Sequence, residues 1–508
     1  MKTKLKQLIV ATVVGSQFAL PALADDGTNA TPVQIPAYAA EGSGGNSAEA
    51  AEIKALKQEV EALVQKVNAL EQQRGPAEQA ATIQELDQKV RVLSREREND
   101  QDAAAALAKT QPKISIGGNG FSFGSGDSNF VAQLHGVIQL DSRTFFQDGG
   151  NNGNDGFLLR RARPIISGTV FHDFDFNFTP DFGGSTVQIQ DAYLNYRYDS
   201  AFQVQAGKFK SPVGLEHLVA DKDVLFNERS LATDLVPNRD LGLDLHGDLF
   251  GGTASYAVGV FNGAPDFSSA STNVSFQDGK AFAGRVFFQP WKNTDVNALR
   301  GLGFGVGGSY EANHPNTNSA TGLTPGYTSD GQQKFFQYAS GVYVSGATWR
   351  VSPQAYYYYG PLGLLAEYVV SDQEVKKAAK SADLANTAWE ISGSWLLTGE
   401  DATYGSITPL HPFNPHNNQW GAWQLVARYA ALDVDDKAFA GSTYADPTKS
   451  ASGATAWSVG LNWYLNKNLR ADLSFSHTVF DGFRGVASPG TVPAQAENVL
   501  FSRLQLAF

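Results

Sequence analysis

The sequence predicts an all-β transmembrane barrel of about 16 antiparallel strands with an N-terminal α-helical coiled-coil extension. Three observations carry that expectation. From Pro112 onward apolar and polar residues alternate at every second position, so each strand has one apolar and one frankly polar face. Ahead of that region the apolar residues recur instead in a heptad pattern. No apolar run after residue 24 is long enough for a spanning helix, so a membrane-embedded form of this chain must be a closed sheet.

Lys2, Lys4 and Lys6 precede an apolar run from Leu8 to Leu20, and Ala22-Leu23-Ala24 supplies small residues at a cleavage site. Residues 1–24 read as a secretory signal peptide. The alternative, a membrane anchor, conflicts with a run shorter than the roughly 20 residues a spanning helix needs. The 508 residues exceed one ordinary domain, and 51 Gly with 11% aromatic residues lean toward β-structure. The absence of Cys excludes disulfides, thiolate catalysis and Cys-based metal sites. A net charge of −12, with no basic cluster carrying aromatic neighbours, argues against nucleic acid as a partner.

Residues 25–47 are rich in Gly, Ser, Pro, Ala and Thr and read as a flexible linker. In the segment 48–110 Ile53, Val60 and Val67 fall at heptad a positions and Leu56, Leu63 and Leu70 at d, with Lys66 at g and Glu71 at e. Gly75-Pro76 stops that helix, and Ile83, Leu86, Val90 and Leu93 begin a second one out of register. Each helix would be roughly 40 Å long. β-branched residues at a with Leu at d favour two strands, whereas Val64 at e favours three, so the stoichiometry stays open. A helical hairpin within one chain is the other reading.

The barrel, residues 111–508, shows its alternation best at the C-terminal end. Trp457, Val459, Leu461 and Trp463 alternate with Ser458, Gly460 and Asn462, and after Asn466-Lys467-Asn468 the pattern resumes with Leu469, Ala471, Leu473 and Phe475. Aromatic residues near strand ends fit membrane-interface girdles. Short turns (171–173, 199–201, 466–468) alternate with long polar connections (148–156, 314–332, 435–452), as periplasmic turns and extracellular loops do. Leu504, Leu506 and Phe508 close the chain on one more apolar alternation. A barrel of this size is expected to hold water in its lumen.

One stretch breaks the pattern. The strand at Gln203 runs into GKFKSPVGLE at Gly207–Glu216, and charged, turn-prone residues then continue to Arg239. A long polar excursion inside a repetitive β-chain is usually functional, and this one reads as a loop folded into the pore.

GKFKSPVGLE, FNERSLATDLVPNRDLG at 226–242, VFNG at 260–263, LTGE at 397–400, GAWQLVARY at 421–429 and the closing strand together resemble the phosphate-selective porin O and P family. The resemblance spans residues 130–508 in order. It implies a trimeric outer-membrane barrel of about 16 strands whose third extracellular loop folds inward and whose basic residues draw anions through. The family's paired arginines match Arg160 and Arg161, which can both face the lumen only if their strand is bulged or has ended. Arg163 shares the parity of Arg161. Val137, Gln205 and His217 stand where phosphate-specific members carry basic residues, which implies weak phosphate binding.

The expected function is passive diffusion of small anions such as phosphate through an outer-membrane pore, with the N-terminal segment in the periplasm. The expected ion pathway comprises Arg160, Arg161, Arg163, Arg197, Lys208, Lys210, His217, Arg229, Arg239, Arg285 and Arg428. His217 is expected to add charge in acid, since an ordinary imidazole titrates near pH ~6.5. Expected partners are two further copies of the chain, outer-membrane lipids, phosphate or other small anions, and the cell wall through the coiled coil. No cofactor is expected. The alternatives are a weakly selective general porin, in which inward arginines and aspartates such as Asp173, Asp191 and Asp472 merely hold the pore open, and a structural barrel tethered to the cell wall. Enzymatic readings fare poorly: Ser476 and His477 are strand neighbours pointing to opposite faces, His411 and His416 lack an acidic partner, and Gly303, Gly305 and Gly307 precede no helix.

Overall fold

The computed structural model describes residues 76–146, 153–269, 279–313, 326–482 and 496–508, with a helical stretch at 57–66 and helical residues 55 and 69. The signal-peptide and linker assignments, and heptad positions Ile53, Leu56, Val67 and Leu70, lie outside the described residues. The chain divides into two compact units, residues 1–110 and 111–508.

In the first unit helix α1, Pro76–Thr110, is 35 residues long, about 50 Å. Proline suits its first turn because the N–H it lacks would have no intrahelical partner. Pairs four apart, Lys89 with Glu85 at 3.1 Å and Arg91 with Asp87 at 2.9 Å, brace its exposed surface.

The second unit opens on a hairpin of β1 (Lys113–Gly117) and β2 (Gly120–Gly124). The wall then begins with β3 (Val131–Phe145), β4 (Gly156–Val170), β5 (Phe174–Asp181), β6 (Gln188–Arg197), β7 (Gln203–Lys210) and β8 (Arg239–Leu249). It continues with β9 (Ala254–Phe261), β10 (Ala281–Phe288) and β11 (Leu302–Asn313). A small separate hairpin, β12 (Gly326–Thr328) and β13 (Lys334–Gln337), precedes β14 (Tyr343–Tyr359) and β15 (Leu362–Lys377). The remainder is β16 (Lys380–Leu396), β17 (Ala422–Asp433), β18 (Gly453–Tyr464), β19 (Leu469–Asp481) and β20 (Ala496–Ala507). The 18-stranded sheet consists of the first hairpin and sixteen barrel strands. Pairing of β20 with β3, Leu504 opposite Leu140, closes the barrel.

The alternation sorts as expected. Leu473, Trp457, Val459 and Leu504 face outward and are exposed, whereas Ser458, Asp472, Ser474 and Arg503 face inward and are buried. Stacked Trp423 and Trp463, 5.0 Å apart, contribute to an outer aromatic surface. The wall is uneven in height: β5, β7, β9 and β10 have 8 residues each, β14 and β16 have 17.

The interior departs from the expected water-filled lumen. Residues 211–238, between β7 and β8, fold inside the barrel and hydrogen-bond to its wall on many sides. Gln139 on β3 donates to the Asp221 carbonyl at 3.2 Å, Gln354 on β14 to Val213 at 2.8 Å, Asn462 on β18 to Leu225 at 3.0 Å, and Arg503 on β20 to Asn227 at 2.8 Å. Val213, Leu231, Leu235 and Val236 of this loop join Tyr327, Phe335 and Phe336 from the β11–β14 connection and Val369, Leu384 and Leu432 from the wall in one apolar core. Apolar loop residues removed from water inside the barrel explain why much of the lumen is packed.

Candidate functional site

A cavity of about 360 Å³ lies between the inward loop and the wall at β4 to β6. Arg160, Arg161, Arg163, His217, Arg229 and Arg239 line it together with Asp181, Asp221, Glu228 and Asp234.

Local backbone geometry supplies the paired arginines. Gln139 pairs with Arg161 and Leu140 with Leu159, so Arg160 is the extra residue of a β-bulge. The bulge lets both neighbours point inward, as a regular strand could not. Arg160 donates to Glu228 at 2.6 and 2.9 Å, and Arg143 donates to the same carboxylate at 2.8 Å. Arg161 donates to Gln139 at 2.6 Å, and Arg163 to Asp181 at 2.6 Å.

The loop brings the opposing charges. Asp221 meets Arg229 at 2.6 Å, Arg239 at 3.3 Å and Arg161 at 3.7 Å, and also pairs with Arg163. Arg239 in turn holds Asp191 at 3.0 Å. Lys210 donates to the backbone carbonyls of His217 and Val219 at 2.9 and 2.7 Å, pinning the turn of helix α2, Leu215–Leu218. Burial alone would raise the Asp221 carboxyl, but Arg229, Arg161, Arg163 and Lys210 hold it well below the usual carboxylate range. Glu228 is likewise depressed, its burial outweighed by Arg160, Arg143 and Arg161. Asp234 moves the other way: burial, aided by Asp330 and Asp266, pushes it well above the ordinary value although the Thr328 amide donates to it at 2.8 Å.

The remaining expected residues lie elsewhere. Arg428, on β17, is a clamp: it reaches Glu216 at 3.3 Å, the Glu228 carbonyl at 3.0 Å and Asp330 at 2.9 Å, with its guanidinium 4.6 Å over Phe226. Arg285 donates to Gln354 at 2.7 Å and lies 4.4 Å over Phe287. Arg197 pairs with Asp175 at 3.1 Å near the turn end of β6 and is exposed, and Lys208 is buried on β7. His217 lines the cavity but is 2% exposed, with Nε2 3.1 Å from the Asn238 carbonyl. Its ring is held well below the usual imidazole pKa by burial, then by Lys210, Arg229 and Arg239. The expected gain of charge in mild acid is therefore corrected, because a buried ring beside three cations does not take up a fourth charge there.

Selecting only basic residues missed Asp221, Glu228 and Glu216. The signal was available: residues 207–239 contain five Lys or Arg and five Asp or Glu, a balance that implies pairing. Also missed was the connection at 397–421, on the end of the barrel that carries the short turns. It packs inward, where the Tyr404 hydroxyl donates to the Leu215 carbonyl at 2.6 Å and Ser406 to Asp223 at 2.8 Å.

Residues 132–508 match the model of a family described as phosphate-selective porin O and P. The chain is 24% identical over 388 residues to Porin O of Pseudomonas aeruginosa, covering 70% of this chain and 84% of that protein. It is similar in structure to the outer membrane channel DcaP of Acinetobacter baumannii, at 12% identity and a TM-score of 0.47 over 75% of this chain and 98% of that one. Similarity to OmpF of Salmonella typhi has a TM-score of 0.44, at 12% identity over 75% and 98% of the two chains.

Proposed function

This chain belongs to the phosphate-selective porin O and P family, and from that premise we propose that its outer-membrane channel passes small anions, phosphate among them, in preference to cations. The supporting observation is the charge around the cavity. Arg160, Arg161, Arg163, Arg229 and Arg239 line the cavity, five guanidinium groups against the four carboxyls of Asp181, Asp221, Glu228 and Asp234. An excess of fixed cations in a narrow, partly desolvated passage lowers the barrier to anions and raises it to cations. Guanidinium groups also offer planar donor pairs to oxyanions.

The pathway in this reading runs past Arg160, Arg161, Arg163, Arg229 and Arg239, with Lys208, Lys210, Arg197 and Arg285 adding to its field. His217 lines it as a neutral wall. The protein carries a signal peptide at 1–24, a linker at 25–47 and a periplasmic coiled-coil segment at 48–110 ahead of the barrel, and it assembles as a homotrimer with its outer wall in lipid. Contact of the coiled-coil segment with the cell wall belongs to the same proposal.

Reversal potential in a planar bilayer under a potassium chloride gradient tests the selectivity. The sign set by chloride is expected, and the sign set by potassium would refute anion preference. The packed interior favours a second reading, a structural barrel tethered through its coiled coil, and it predicts no single-channel conductance at all.

A further inference from the structure

The inward loop brings a carboxylate of its own to the point where four guanidinium groups converge. Arg229 comes from the loop, Arg239 from β8, and Arg161 and Arg163 from β4, all on Asp221. Arg163 also holds Asp181 and Arg239 also holds Asp191, so four guanidinium groups share three carboxylates and the cluster keeps an excess of positive charge. Convergent guanidinium donors are what a phosphate or another oxyanion binds. The two oxygens of Asp221 do not fill the donor set. Arg161 stands off at 3.7 Å, and its Nε is buried with no hydrogen-bond partner. A tetrahedral oxyanion has more acceptor oxygens than a carboxylate and would serve such leftover donors.

We propose that Asp221 is a built-in anion occupying an oxyanion site of the channel, so that phosphate meets that site already filled. The inference rests on the anion-channel reading and deepens it by naming the residue that keeps phosphate binding weak. Anions pass along the rest of the cationic cavity, while the tightest cluster of donors is reserved by the protein itself. Replacing the carboxylate with a neutral group opens the site to small oxyanions.

Chloride current through single channels, titrated with inorganic phosphate, tests this. In Asp221→Asn the concentration of phosphate giving half block is expected to fall about tenfold or more relative to the unaltered protein. Asp221→Ser, which leaves a smaller neutral group, is expected to behave likewise, and Asp221→Glu to keep the weak block. Asp181→Asn removes a carboxylate that holds Arg163 alone among these four arginines and is expected to change block far less. Asp221 variants that conduct but are no more sensitive to phosphate than the unaltered channel overturn the proposal, as does an equal gain in Asp181→Asn. Should the variants fail to assemble, the unaltered protein still decides: half block by micromolar phosphate would mean that no internal carboxylate guards the site. A cation-selective reversal potential in the unaltered channel would refute the anion reading separately.

Discussion

At the residue scale, inward orientation and contact with ions are different properties. Alternation turns Arg428, Arg470 and Arg503 to the inner face of their strands, and all three are buried inside the barrel. Parity does not say whether the lumen at that height holds water or a loop. Arg470 pairs with Asp472, and Arg503 with Asp141 at 2.7 Å, in bonds that brace the wall and the loop. Arg428 ties two loops to β17 through Glu216 and Asp330. Arg428→Ala leaves both carboxylates without that partner and is expected to cost about 3–5 kcal/mol. Equilibrium unfolding in denaturant measures the loss, and a change below about 1 kcal/mol would show that Arg428 is not a clamp. His217 teaches the same distinction for titration. Its lowered pKa keeps the ring neutral in the folded channel, whereas an unfolded chain takes up a proton below pH ~6.5. Acid therefore weakens this seat and does not charge the pore. Asp221 and Glu228 have depressed values, so the stability they contribute is present above the ordinary carboxylate range, pH ~4, and is lost only as pH falls through their folded values. Anion selectivity is expected to stay level between pH ~8 and ~5, with His217→Gln indistinguishable from the unaltered channel. A rise near pH ~6.5 that His217→Gln abolishes would restore the histidine switch.

At the scale of elements, strands were legible and loop destinations only partly so. Period-two alternation located strands such as β18 and β19 because one face is apolar and turned outward and the other meets a polar interior. Turning two adjacent arginines inward required a bulge or a strand end at Arg160, and the register of β3 with β4 shows the bulge. The inward course of 211–238 was legible from its length and charge. The inward course of 397–421 was not, because its contacts through Tyr404 and Ser406 depend on where the first loop lies, which local pattern does not encode. Glycines on β11 record the same non-local constraint. A Cβ on Gly307 would lie 2.1 Å from the Val213 carbonyl, so the loop rests directly on the wall there. Gly307→Val is expected to push residues 211–216 off the wall, giving larger or noisier single-channel conductance with the barrel intact. Unchanged conductance would mean that the loop yields elsewhere at no cost to the passage.

At the scale of the whole molecule, the second unit is a closed barrel with its own core. Its sheet closes on itself through β20 and β3, where Phe508 and Gly136 exchange backbone hydrogen bonds at 3.0 and 2.9 Å. Its apolar core is built from its own loops and wall, and among the described residues the charged groups lining the cavity come from residues 160–239. The hairpin of β1 and β2 extends this sheet beneath the closing strand, with Phe121 opposite Leu134 on β3 and its ring 6.5 Å from that of Phe508. Excision of residues 48–110, with residues 1–47 and the hairpin retained, is expected to leave single-channel conductance and reversal potential unchanged. The same preparation tests what the helical segment is for. Loss of association with isolated cell wall, with conduction intact, fits a tether, whereas a monomeric or silent barrel would show that the helices build the oligomer on which the channel depends.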